Sequence, residues 1–232
     1  MTETEWLACS PNGGPQHVEA MLTFLGASLS RRKQVLLACN SFYLHRKKDD
    51  HEYPWELQAR EIAERFVDGT ATPADVAPVR AAVEQELAND PYPFDLMHNT
   101  LPDTGGQALN LLQLACGEVS SLMEIPCSGI PYVRPFPYYG SPPREEDLLR
   151  DVFASPFVQS PRVDPAWLSW NDGTVVKLAR GIYEERAFDR MPVLADALEE
   201  AGCHEEMILA HCRGPGPHIR GCWVMDRILA KE

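Results

Sequence analysis

Apolar residues recur three and four positions apart through most of the chain, the spacing of one helical face, and few segments alternate with period two. After the breaker Pro11-Asn12-Gly13-Gly14-Pro15, Val18, Met21, Leu22 and Leu25 mark a short amphipathic helix. A second follows Ser30, a suitable N-cap, with Val35, Leu36, Cys39, Phe42 and Tyr43 along its stripe. The third runs through PWELQAREIAERFVDG and is closed by Gly69, and the fourth opens with Thr72 before Pro73, the order of an N-cap and a first helical residue. A fifth covers QALNLLQLACGEVSSLMEI.

The C-terminal third carries the sharper signals. REEDLLRDVFASPF reads as a short helix stopped before Pro156, and DPAWLSWNDGT as a turn bearing two tryptophans. Val175, Leu178, Ala179 and Ile182 then share one face. DRMPVLADALEEAGC starts at Asp189 as its cap, places Pro192 in the first turn and ends at Gly202 in the C′ position. A last helix is expected from Gly216 and Pro217 onward. The pattern predicts an all-α, multi-helix globular bundle. Residues 90–108 read as a loop, and the proline- and aromatic-rich stretch 126–144 as a connecting segment between an N-terminal helical region, 1–125, and a C-terminal one, 145–232. One continuous domain is the alternative.

Composition narrows the function classes. With 232 residues, 44% of them hydrophobic, the chain is long enough for one substantial core or two small ones. A net charge of −13 repels phosphate backbones and anionic lipid headgroups, so direct nucleic-acid binding is not expected; the SRRK and HRKK clusters read as solvated helix flanks. No run approaches the roughly 18 apolar residues of a membrane span, and MTETEWLACS lacks the order of a secretory signal. Seven scattered cysteines fit reduced thiols. Together these features lead to the expectation of a cytoplasmic protein.

The densest chemistry lies in AHCRGPGPHIRGCWV, where His211, Cys212, His218 and Cys222 surround a Gly-Pro-Gly-Pro turn. Zinc takes four tetrahedral ligands from Cys and His, and His218 and Cys222, four apart, would share a helix face. Cys203, His211, His218 and Cys222 are therefore the candidate zinc set, although no Cys-x2-Cys knuckle is present. Packing explains the same residues without an ion: on a helix from Pro217, the residues His218, Cys222, Met225 and Leu229 form a buried stripe in which cysteine acts as a small apolar residue.

The other features are weaker. Cys212 beside His211 is the one place for a thiol nucleophile, but adjacent side chains rarely aim at each other. Trp167, Trp170, Tyr138 and Tyr139 are the candidate partner-facing aromatics, with core packing as the alternative. The acids and arginines of EERAFDR read as an ion-pair network at a helix junction. GxxxxGK, GxGxxG, HExxH and GxSxG do not occur, so no catalytic or cofactor-binding residue is assigned.

The stretch from Leu148 to the end, including WNDGTVVKLARGIYEERAFDRMPVLADALEEAGC and HCRGPGPHIRGCWV, resembles a large paralogous family of planctomycete bacterial proteins. MTETEWLAC and SRRKQVLLAC are similar to the family's N-terminal segment, whereas NSFY (40–43) stands where the family often has paired cysteines and an arginine, and residues 85–143 depart from it. The resemblance implies a lineage and no activity. The sequence thus predicts a non-catalytic, acidic α-helical interaction or adaptor protein with a protein partner. A zinc-stabilised regulatory or sensor domain is the alternative, and a thiol-dependent hydrolase acting through Cys212 or His218 the second.

Overall fold

The computed structural model describes residues 1–9, 15–26, 29–44, 54–89, 104–118 and 145–231. Among them every regular element is a helix and none is a strand, as the three- and four-residue periodicity predicts. Tyr138, Tyr139, the 126–144 connecting segment, His51 and His98 lie outside the described residues. The chain divides into two compact units: Gly14–Pro142, and a discontinuous one made of Met1–Gly13 with Pro143–Glu232.

The first of these contains α2 (Pro15–Leu25), α3 (Arg31–Leu44), α4 (Pro54–Val67), α5 (Pro73–Asn89) and α6 (Thr104–Cys116). Local chemistry fixes their ends. Lys33 N donates to Ser30 Oγ at 3.3 Å ahead of α3, and Thr72 binds Asp75 through both its amide (2.8 Å) and its hydroxyl (2.7 Å), with Pro73 as the first residue of α5. Gly69, at φ +73°, ends the turn after α4. α4 lies at the centre, packed on α3, α5 and α6 through Ala59, Ile62 and Ala63. Val35, Cys39, Val76, Val83, Leu112 and Leu114 complete this core. Arg32 Nε donates to Asp68 Oδ1 at 2.8 Å, both side chains only 7% exposed, which ties the start of α3 to the end of α4.

The discontinuous unit contains α1 (Glu3–Ala8), α7 (Glu145–Val152), α8 (Pro165–Glu185), a 3-10 turn (Phe188–Arg190), α9 (Met191–Glu200), α10 (Glu206–Arg213) and α11 (Trp223–Leu229). α8 packs on α9 and α11, and α9 on α10, around Ile182, Met191, Leu194, Leu198, Ile208 and Met225. Asp164 caps α8 by accepting from Ala166 N at 2.8 Å, with Pro165 following. α8 is broken at Trp170–Gly173: Asn171, Asp172 and Gly173 are all left-handed, the conformation Asn, Asp and Gly tolerate best. The break turns Trp167 and Trp170 toward the core, where Trp167 is buried and Trp170 partly so.

Several expected boundaries shift. α6 starts at Thr104, inside the 90–108 stretch expected as a loop, and ends at Cys116, before Gly117 at positive φ. Pro165–Ser169, expected as part of a turn, opens α8. Asp189 does not cap α9, because the 3-10 turn intervenes and Arg190 takes the N-cap position. The last helix begins at Trp223 and not at Pro217, since residues 214–222 form an irregular loop with Gly216 and Gly221 at positive φ.

α1 joins this unit through α7. A capping box starts it: Thr2 N donates to Glu5 Oε2 (2.7 Å) and Glu5 N to Thr2 Oγ1 (3.2 Å). At its other end Arg150 Nη2 donates to the carbonyls of Trp6 (2.9 Å) and Cys9 (2.6 Å), groups that no further helical turn satisfies. Trp6, 2% exposed, stands edge-on to Phe157 with ring centroids 6.4 Å apart.

Two substitutions separate these contributions. Trp6→Ala is expected to destabilise the discontinuous unit by about 3–5 kcal/mol. Asp68→Ala removes the buried 2.8 Å partner of Arg32 Nε and is expected to cost the other unit about 3 kcal/mol. Chemical denaturation of each variant, followed by tryptophan fluorescence and far-UV dichroism, checks both figures.

Candidate metal centre

α7 brings a carboxylate into an apolar interior. Leu148 and Val152 lie three before and one after Asp151 on its inner side, and all three are buried. Asp151 Oδ2 accepts from the amide of Ile219 at 2.9 Å, so one oxygen is anchored to the loop before α11. Oδ1 takes the two imidazoles: His218 Nδ1 lies at 2.6 Å and His211 Nε2 at 3.2 Å. His211 Nε2 is also 3.1 Å from Cys222 Sγ. The four side chains each offer one ligand atom, and these atoms all lie within 4.8 Å of one another.

Each donor is placed by its own element. His211 comes from the last turn of α10, where its other nitrogen, Nδ1, accepts the indole N–H of Trp223 at 3.1 Å. His218 follows the Gly-Pro-Gly-Pro turn and stacks edge-on against His211, with centroids 4.9 Å apart. Cys222 is the N-cap residue of α11, fully buried; the amides of Val224 and Met225 lie toward its sulfur without closing a cap hydrogen bond. Gly216 shapes the approach of His218: its φ is +74°, and a Cβ there would stand 2.9 Å from the His218 amide nitrogen.

Electrostatics favours a cation at this point. Burial raises the Asp151 carboxyl, but the hydrogen bonds from His211 and His218 outweigh it and leave the group lowered. Burial and the nearby Asp151 charge push the Cys222 thiol well above its ordinary value, with the Val224 and Met225 amides opposing. His218 faces the centre with Nδ1, and its other nitrogen, Nε2, is buried without a hydrogen-bond partner. A dication bound by one carboxylate, one thiolate and two neutral imidazoles leaves no net charge in the interior, which removes the main penalty of burying such groups.

A small ion would draw together ligand atoms now spread over as much as 4.8 Å and push the shortest contacts apart. Bonds of about 2.0–2.3 Å in tetrahedral geometry set neighbouring ligand atoms roughly 3.3–3.7 Å apart. The contacts at 3.1 and 3.2 Å need only a slight expansion, and the 2.6 Å contact a larger one. The group could hold a metal ion.

Comparison of the chain with family models, with curated proteins and with solved structures finds no match.

Three of the four candidate ligands, His211, His218 and Cys222, come together, and Asp151 takes the fourth place. Cys203 does not. It follows the turn that ends α9, where its amide donates to Leu198 O at 2.9 Å, and its thiol is buried in the apolar core. Position within a twenty-residue window suggested Cys203; the ligand that completes the group arrives from α7, sixty residues earlier. The signal for it was an aspartate on the apolar face of a short helix. His218 and Cys222 converge through the loop and its glycines, not along a helix face.

The geometry is poor for nucleophilic catalysis. In a thiol triad the carboxylate holds the imidazole nitrogen opposite the one facing sulfur. Here Asp151 and Cys222 converge on the same nitrogen, Nε2, and Trp223 occupies the other. Cys212 is fully buried and its thiol is pushed up to about 12, chiefly by that burial.

Gly216→Ala tests whether the turn positions His218. It is expected to lower the melting temperature of the discontinuous unit by several degrees, the cost of a strained φ and a displaced His218 amide. Gly181→Ala, in α8 with open space around a Cβ, is the comparison, and no loss of melting temperature in Gly216→Ala relative to it would show that the turn does not matter.

Proposed function

We propose that the C-terminal residues, with α1, form a zinc-stabilised regulatory domain of a non-catalytic protein. The observation that carries this reading is the convergence of Asp151, His211, His218 and Cys222 within 4.8 Å, the first and last buried and the histidines half-buried. Two imidazoles, a thiolate and a carboxylate form a donor set that suits zinc better than the all-oxygen preferences of magnesium or calcium. Four protein ligands also fill a tetrahedral ion completely. A closed site of this kind contributes folding energy, whereas a catalytic zinc keeps one position for water or substrate.

The surface supports the non-catalytic side of the proposal. A net charge of −13 gives the protein an acidic exterior suited to a basic protein partner and unsuited to polyphosphate ligands. Among the described residues no helix is long and apolar enough to cross a membrane.

Elemental analysis of the full chain, purified without a histidine tag, is expected to give about one equivalent of zinc. Asp151→Ala and His218→Ala are each expected to lose most of it, while Cys203→Ala keeps it. Chelation of the wild-type protein is expected to lower the melting temperature by about 10 °C or more. Less than a tenth of an equivalent of zinc or any other transition metal, together with a melting curve indifferent to chelator, would overturn the proposal.

A further inference from the structure

The reading of the centre as a metal site leaves one contact unexplained. An indole N–H can only donate, so the 3.1 Å contact between Trp223 Nε1 and His211 Nδ1 requires a lone pair on Nδ1. A neutral imidazole then carries its proton on Nε2, where it faces Asp151 Oδ1 and Cys222 Sγ. That arrangement satisfies both ring nitrogens of His211, and it leaves no lone pair on Nε2 for a metal. When an ion takes Nε2, the proton that nitrogen held moves to Nδ1. Two N–H groups would then point at each other across 3.1 Å.

We propose that metal loading breaks the Trp223–His211 hydrogen bond, so that the centre is a metal-responsive switch in which Trp223 reports occupancy. This rests on the metal reading of the site and adds a regulated state to it. The usual arrangement at a metal-bound histidine is the reverse, an acceptor on the second nitrogen that fixes the ligating tautomer. Trp223 supplies a donor instead and thereby holds His211 in the tautomer that cannot bind.

The displaced indole has a path to the surface. Arg227 lies over the Trp223 ring, its guanidinium carbon 5.4 Å from the centroid, and its Nη1 donates to the carbonyl of Pro161. Trp223 itself is 4% exposed and packed in the core, so a shift of its ring acts on neighbours and is not absorbed by solvent. Loading at His211 therefore alters the Arg227–Pro161 contact on the exposed side of the unit.

The test compares wild-type protein with Trp223→Phe, which keeps an aromatic ring under Arg227 and removes the donor. Competition against a chromophoric zinc chelator is expected to show about three- to tenfold tighter zinc binding by the variant, the worth of one hydrogen bond no longer given up. A tryptophan that merely supports the ligand would give weaker binding on substitution. Equal or weaker binding by the variant overturns the switch while leaving the metal site standing. Zinc binding by neither protein overturns both. A measurement on the wild type alone stands beside it in case the variant folds poorly. Long-range imidazole nitrogen spectra are expected to show the His211 proton on Nε2 without zinc and on Nδ1 with it, and the Trp223 indole resonance moving at the same time. An indole resonance that does not move on loading overturns the proposal.

Discussion

An ionised carboxylate in an apolar interior is the constraint around which the discontinuous unit is organised. Asp151 is 3% exposed, and the nearest arginine on its own helix, Arg150, points to the carbonyls of α1. Compensation must come from elsewhere, and it comes from the far end of the chain: two imidazoles and a backbone amide, all within the nine residues 211–219. An unpaired buried charge is costly enough that these contacts decide how α7, α10 and the loop before α11 are arranged. The helices supply the volume; the carboxylate specifies their register.

Seen this way, α7 does two things with adjacent residues. Arg150 closes the open end of α1, and Asp151 collects the ligands of the C-terminal loop. Because successive residues on a helix diverge by about 100°, one eight-residue element can hold two partners on different sides. The donor set that results is mixed in hardness, with Asp151 and Cys222 buried and the two histidines half-buried. A mixed set of this kind suits an ion that holds a fold.

Much of the architecture was legible in the chain, because helix caps and periodicity are local. Thr72 before Pro73, Ser30 before Arg31, and the terminating Gly69 and Gly202 all mark ends that the structure keeps. The errors arise where local rules compete. Asp189 has cap chemistry, yet the 3-10 turn beside it carries the chain one residue further. Pro217 is a good helix starter, yet Gly216 and Gly221 hold left-handed turns on either side and delay α11 to Trp223. The centre was half legible for the same reason. Three ligands cluster in sequence, but the fourth depends on a long-range packing choice that periodicity does not encode. Only the oddity of Asp151 between Leu148 and Val152 pointed to it, since an acid on a buried stripe demands a partner that the helix itself cannot supply.

The clamp that Arg150 places on Trp6 and Cys9 makes one folding unit out of the two ends of the polypeptide, with Gly14–Pro142 looped out between them. During synthesis Trp6 is made before the inserted helices, while its partners Arg150 and Phe157 follow them. The inserted helices can form their own core in the interval, and closing a loop of that length costs only logarithmically more than closing a short one. The contacts of Trp6 with α7 and Phe157 therefore form only after the inserted segment has been made.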